Sequence, residues 1–301
     1  MGVAPRAGAG MTGLVRFVRL VRRSRLRRGS ALPPARAFVL VAALWAGASA
    51  AEPARVAAQE SATHVLVITG LSGEERFARQ YREWGAALVQ AAVEKHGVAA
   101  GNVVWLAERA DVHPSVRDAS TRANVEREIR AIAGRAGAAD RVIILLFGHG
   151  SFQGGETRVN LPGPDLTGKE YAGLLAPLAT QRVAVVNAAS ASGGFIQDLA
   201  APNRVVITAT RSGMEQNESL FGGHFVAALT GTDADTDRDG RVSLLEAFEY
   251  ARREVEREYQ RSNRLRTEHA VLDAVGDGRG VPTAEAASPH ARLAGTFFVG
   301  S

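Results

Sequence analysis

Five short stretches of the chain are almost continuously apolar: His64–Thr69, Asn102–Leu106, Arg141–Phe147, Arg182–Val186 and Arg204–Thr208. Runs this dense, without polar alternation, predict strands buried on both faces. Between them the apolar spacing changes. Phe77, Tyr81, Trp84 and Leu88 recur at helical intervals, and Gly97 is a natural stop. Val125, Ile129 and Ile132 share one helical face behind a cap at Ser120 or Thr121. A loop rich in Gly and Pro is expected over 153–168, followed by a short helix over Lys169–Leu178. The alternation of strand and helix predicts an α/β fold, a mostly parallel central sheet flanked by helices. In such sheets, chemistry gathers at the carboxyl ends of the strands, where His149, Ser190 and Thr210 fall.

Charge divides the chain unevenly. The whole sequence carries 36 Lys and Arg against 31 Asp and Glu, a net +5. Nine of those basic residues precede Ala37, and no acid occurs before Glu52, so the rest holds 27 basic residues against 31 acidic ones. That balance argues against a nucleic-acid partner. The basic start leads into the apolar run Ala37–Ala46 and then Ala48-Ser49-Ala50, the pattern of a secretory signal with a small-x-small cleavage site. Residues 1–50 are therefore expected to be a signal peptide and 51–62 a linker. The product would be exported, periplasmic or extracellular. The apolar run is shorter than the ~20 residues that span a bilayer, so no stable membrane span is expected in the mature form. The absence of cysteine excludes disulfides, thiolate metal sites and a cysteine nucleophile.

Asp235-Thr236-Asp237-Arg238-Asp239-Gly240, with Glu246 in phase, matches the twelve-residue EF-hand calcium loop without a mismatch. Asp235, Asp237 and Asp239 would supply carboxylate oxygens and Arg241 its backbone carbonyl. Ser243 would act directly or through water, and Glu246 would be bidentate. A solvated acidic turn is the plainer alternative, but alternating aspartates around a required glycine favour Ca2+. Thr230-Gly231-Thr232 interrupts the approach to the loop, and Asp273, Asp277 and Gly278 form only a fragment of a second such turn. A helix from Ser243 to about Tyr259 should bury Leu244, Leu245, Phe248 and Val255. His224, beside Phe221 and Phe225, reads as a packed core histidine.

Gly148-His149-Gly150 places an imidazole between glycines that permit close approach, and the Gly150 amide can serve an oxyanion. The same residues also read as a tight strand-end turn. Phe147-Gly148-His149-Gly150 and Ala189-Ser190-Ala191-Ser192-Gly193 resemble the two active-site motifs of the legumain-type, caspase-fold peptidases. Ser190 stands at the position of the nucleophilic cysteine.

The resemblance implies a caspase-like three-layer sandwich over 63–230. Residues 231–301 would add the calcium loop, a helix and a C-terminal segment packed on the same domain. It also implies His149 as the base and a cleft for a peptide or protein ligand. A serine hydroxyl needs a closely bonded base where a thiol does not, so the expected product is a weak or inactive peptidase homologue. The alternative is a serine esterase, with Ser192 or Ser190 as nucleophile and a histidine base such as His269. Arg211, after the last parallel strand, reads either as a surface residue or as a contact for an acidic group.

Overall fold

Residues 61–285 and 287–300 are described by the computed structural model; the expected signal peptide and nearly all of the expected linker lie outside the described residues. The five apolar runs all form parallel strands: β1 (Thr63–Thr69), β2 (Val103–Ala107), β4 (Arg141–Phe147), β8 (Arg182–Asn187) and β9 (Arg204–Thr208). Two short strands complete the sheet, β3 (Asp118–Ala119) beside β2 and β10 (Val271–Asp273) antiparallel to β9. The order across it is β10-β9-β8-β4-β1-β2-β3.

Period-two geometry sends alternate side chains of each strand into two separate cores. Val65 and Val67 face one core together with α1 (Glu75–Glu94), α5 (Phe221–Thr230) and α6 (Leu244–Arg261). Leu66 and Ile68 face the other, with α2 (Arg122–Arg135), α3 (Gly168–Leu175) and α4 (Phe195–Leu199). Three layers result, the α/β sandwich that the strand and helix rhythm predicts. Val242, Leu244, Phe248 and Phe297 lie in the same core as Phe225 and Val65, so the C-terminal segment packs on the sheet rather than forming a body of its own.

Thr121 is the α2 cap, accepting from the Asn124 N–H. Thr167 and Ser243 each close a capping box, on α3 and α6 respectively. The expected loop at 153–168 instead takes part in a small antiparallel sheet: β5 (Gly150–Gln153), β6 (Glu156–Val159) and β7 (Leu166–Thr167). Gly154 and Gly155, at φ 63° and 81°, turn β5 into β6 in the left-handed conformation that two-residue hairpins need. A Gly-Gly pair between Phe152 and Thr157 is the signal that a reading by composition alone passes over. No described helix is long and apolar enough to cross a membrane.

Candidate functional site

The sheet order reverses between β1 and β4, because the chain builds outward from β1 through β2 and then returns to the other side. Crevices open at the carboxyl ends of strands where the order reverses. Here the crossing is closed by hydrogen bonds: Gly70 N–H donates to Phe147 O at 2.8 Å, and His149 Nε2 lies 3.0 Å from Ser72 O. A carbonyl only accepts, so Nε2 carries the proton and Nδ1 is left as the basic nitrogen. The ring is further fixed by Phe77, edge-on at 4.7 Å between centroids, and by Tyr81 at 6.1 Å. Ser72 is thus the residue that orients the histidine. No acid is needed for this, and no motif marks a backbone carbonyl in sequence.

Ser190 follows β8 and is 4% exposed. Its hydroxyl accepts from Gly150 N–H at 3.2 Å and donates to Gly150 O at 3.3 Å. The Gly150 amide expected to serve an oxyanion is therefore engaged by the neighbouring serine. Gly150 has to be glycine, since a Cβ there would collide with Ser190 O and stand 2.9 Å from Arg158 O. Ala191 takes φ 54°, strained for a residue with a Cβ, and its N–H donates to Glu215 O at 2.8 Å.

Ser192, 2% exposed, belongs to a different network. Its Oγ lies 3.2 Å from Thr210 Oγ1 and accepts from Thr210 N–H at 3.3 Å, while Gly193 N–H donates to Thr210 Oγ1 at 2.9 Å. Thr210 and Ser192 lock the β8 loop to the β9 loop. Among the described residues, no hydrogen bond joins Ser190 or Ser192 to any histidine. His269 is committed elsewhere: Nδ1 is 2.7 Å from Glu215 Oε1, and Arg211 Nε meets the same oxygen at 3.0 Å. His224 is not a core residue, because its Nε2 pairs with Glu258 at 3.0 Å near the surface.

The acidic loop lies beyond the far end of α5. Asp235, Asp237 and Asp239 each turn a carboxylate oxygen into one cluster, all within 4.8 Å of one another. Gly240 N–H donates to Asp235 Oδ2 at 3.0 Å, Asp239 N–H to Asp237 Oδ1 at 3.1 Å and Arg241 N–H to Asp239 Oδ1 at 2.8 Å. Gly240 sits at φ 84°, and Arg238, at φ 62°, shares the left-handed conformation without being glycine. Glu246 spans the loop, accepting from Thr236 N–H at 2.9 Å through one oxygen and from Ser243 N–H at 2.9 Å through the other. Burial pushes the Glu246 carboxyl up, but these donors, with the Ser243 and Thr236 hydroxyls, outweigh it and hold the group below its ordinary value. One oxygen stands apart: Asp235 Oδ1 is buried and accepts no hydrogen bond.

The helix before the loop stops at Thr230, well short of Asp235, as the Thr-Gly-Thr interruption predicts. The loop nonetheless finds a pairing partner. Ser243 bridges antiparallel to Phe298, and Leu244 N–H donates to Phe297 O at 2.9 Å. The second acidic turn is different in kind. Asp273 is fully buried, Oδ1 accepting from the Val275 and Gly276 amides and Oδ2 from the Gly278 amide.

No protein-family model matches the chain, and no curated protein matches it in sequence. Solved structures do resemble it in chain course. The crystal structure of drICE aligns with 71% of this chain and 88% of its own, at 9% identity and a TM-score of 0.44. Protein GSU0716 from Geobacter sulfurreducens aligns over 72% and 94% at 14% identity, with a TM-score of 0.47. The Drosophila initiator caspase Dronc aligns over 79% and 84% at 9% identity, with a TM-score of 0.44. All three scores fall below 0.5, so they add nothing to what the strand order and site geometry carry.

Proposed function

We propose that the chain is an exported, calcium-stabilised, caspase-like protein of the legumain type whose cleft binds peptide while its serine stays catalytically silent. The observation that supports silence is the Ser190 hydroxyl, which exchanges both of its hydrogen bonds with Gly150 rather than bonding to His149. Serine attack needs a base that takes the hydroxyl proton as the bond forms. Here the imidazole is held through Nε2 on Ser72 O, no hydrogen bond joins it to the hydroxyl, and the amide that would receive an oxyanion holds the nucleophile itself. A cysteine at position 190 would need less, since its thiol ionises without a tight hydrogen bond. Treating Ser190→Cys with iodoacetamide tests this reading. Alkylation faster than a free cysteine, and slowed by His149→Ala, is expected; an inert thiol would remove the peptidase-like cleft.

The acidic loop is proposed to hold Ca2+ through Asp235, Asp237, Asp239, the Arg241 carbonyl and Glu246. Ser243, whose hydroxyl is engaged in the α6 cap, would contribute through water. The orphaned, buried Asp235 oxygen fits such an ion, because a buried acceptor without a donor is costly unless a cation satisfies it. Outside the cytoplasm a site of about 10⁻⁴–10⁻³ M affinity would stay filled and act as a clip. Calorimetry with millimolar Ca2+ tests it: saturable heat lost in Glu246→Gln is expected, and no heat would remove the role.

A further inference from the structure

The crevice beside His149 has a chemical character of its own. It is a shallow crevice of only about 10 Å³, lined by Phe77, Tyr81, Trp84, His149 and Glu218 together with Ala188, the residue after β8. Aromatic faces and one carboxylate form the environment that a cation prefers, since ring quadrupoles and a negative charge both favour it. The molecule already places a cation at the rim. Arg76 lays its guanidinium 4.1 Å from the centre of the Phe77 ring, and its Nη1 is 3.2 Å from Glu218 Oε2. This arginine is 58% exposed along its side chain and also tied to Glu74, so its hold on Glu218 is that of a surface pair, weak and exchangeable.

An acidic guest meets the opposite conditions. It would face Glu218 in the crevice, whereas Arg211 on the β9 loop is turned toward Glu215, 3.0 Å away. We propose that the cleft selects a peptide carrying a cationic side chain, arginine or lysine, which takes the place of Arg76 on Phe77 and Glu218. This rests on the reading of the crevice as a peptide-binding cleft. It makes Glu218 a specificity residue and Arg76 a competitor built into α1.

The Ser190→Cys chain in millimolar Ca2+ allows a direct test with acetyl-Ala-Ala-Xaa chloromethyl ketones, where Xaa is Arg, citrulline, Asp or Leu. The sulfur of the introduced thiol forms a bond to the methylene carbon, chloride leaves, and the thiol proton passes to solvent or His149. Intact mass against time gives each rate. The Arg reagent is expected to label about tenfold faster than its neutral citrulline isostere. Glu218→Gln should abolish that advantage and Arg76→Ala should enlarge it. Equal rates for citrulline or Leu, all faster than a free thiol, would overturn the cationic preference and leave the cleft standing. Rates no faster than a free thiol for every reagent would overturn both. Should the cysteine variant not fold, calorimetry of the unsubstituted chain with acetyl-Ala-Ala-Arg amide and its citrulline counterpart decides the same ordering.

Discussion

The two ends of α5 present opposite solutions to the placing of polar groups. At its N-terminal end Ser219 and Glu218 line the His149 crevice, and the two groups that chemistry would use beside it are paired, His149 with Ser72 and Ser190 with Gly150. At its C-terminal end three aspartates converge, and one buried oxygen has no donor. A network whose members satisfy one another is stable and reluctant to react. A network with an orphaned acceptor is incomplete until something cationic joins it. The turn at Asp273 shows that acidity is not what separates the two, because its carboxylate is as buried as any and three backbone amides satisfy it.

The strongest way to break the closed network is to force its backbones apart. Gly150→Ala would drive a Cβ into Ser190 O, and chemical denaturation should show a loss of about 3 kcal/mol, the upper end of overpacking costs. The same substitution at Gly154, which has open space around its Cβ position, should lose only what its left-handed φ demands.

The incomplete network is probed by supplying its missing partner. At 10 mM Ca2+ and the proposed affinity, mass action adds about 1.4–2.7 kcal/mol of stability, visible as a rise in Tm that chelator reverses. Glu246→Gln should erase that rise. Asp273→Asn should cost about 1–2 kcal/mol by leaving amides poorly matched, yet keep the full calcium increment. A calcium response that vanished with Asp273 instead would reverse the comparison.

A smaller effect follows from pH. The carboxyls of Glu246 and Asp140 are both held below their ordinary values. For each, burial pushes the group up and hydrogen bonds from backbone N–H groups outweigh it. A depressed acid contributes stability that is present above its unfolded value, about 4, and lost as pH falls through the folded value. Calcium-free thermal stability should therefore decline below about pH 4, with a shallower decline in Glu246→Gln.

Much of this was legible in the amino-acid order. Strands buried on both faces advertise themselves as unbroken apolar runs, and both Arg141–Phe147 and Arg204–Thr208 begin and end where the runs do. The acidic loop was legible because its spacing is local. What escaped was set by distant backbone. Ser72 orients His149 through a carbonyl that every residue possesses, across 77 positions of sequence. His224 sits among apolar neighbours in sequence but on the outer side of α5, where α6 brings Glu258 to it. The hairpin of β5 and β6 escaped for a different reason, since glycine-rich composition masked a turn signal that was present. Ser192 shares a motif with Ser190, and only the approach of the β9 loop through Thr210 shows where its hydroxyl is hydrogen-bonded.

The cleft reading stands or falls most directly on the reactivity of Ser190 in the unsubstituted chain. The calcium-loaded protein would be incubated with a fluorophosphonate probe and its intact mass measured, followed by peptide mapping. The arrangement of His149, Ser190 and Gly150 predicts no adduct on any serine. A single adduct at Ser190, lost in His149→Ala, would contradict it and make this chain a working serine hydrolase.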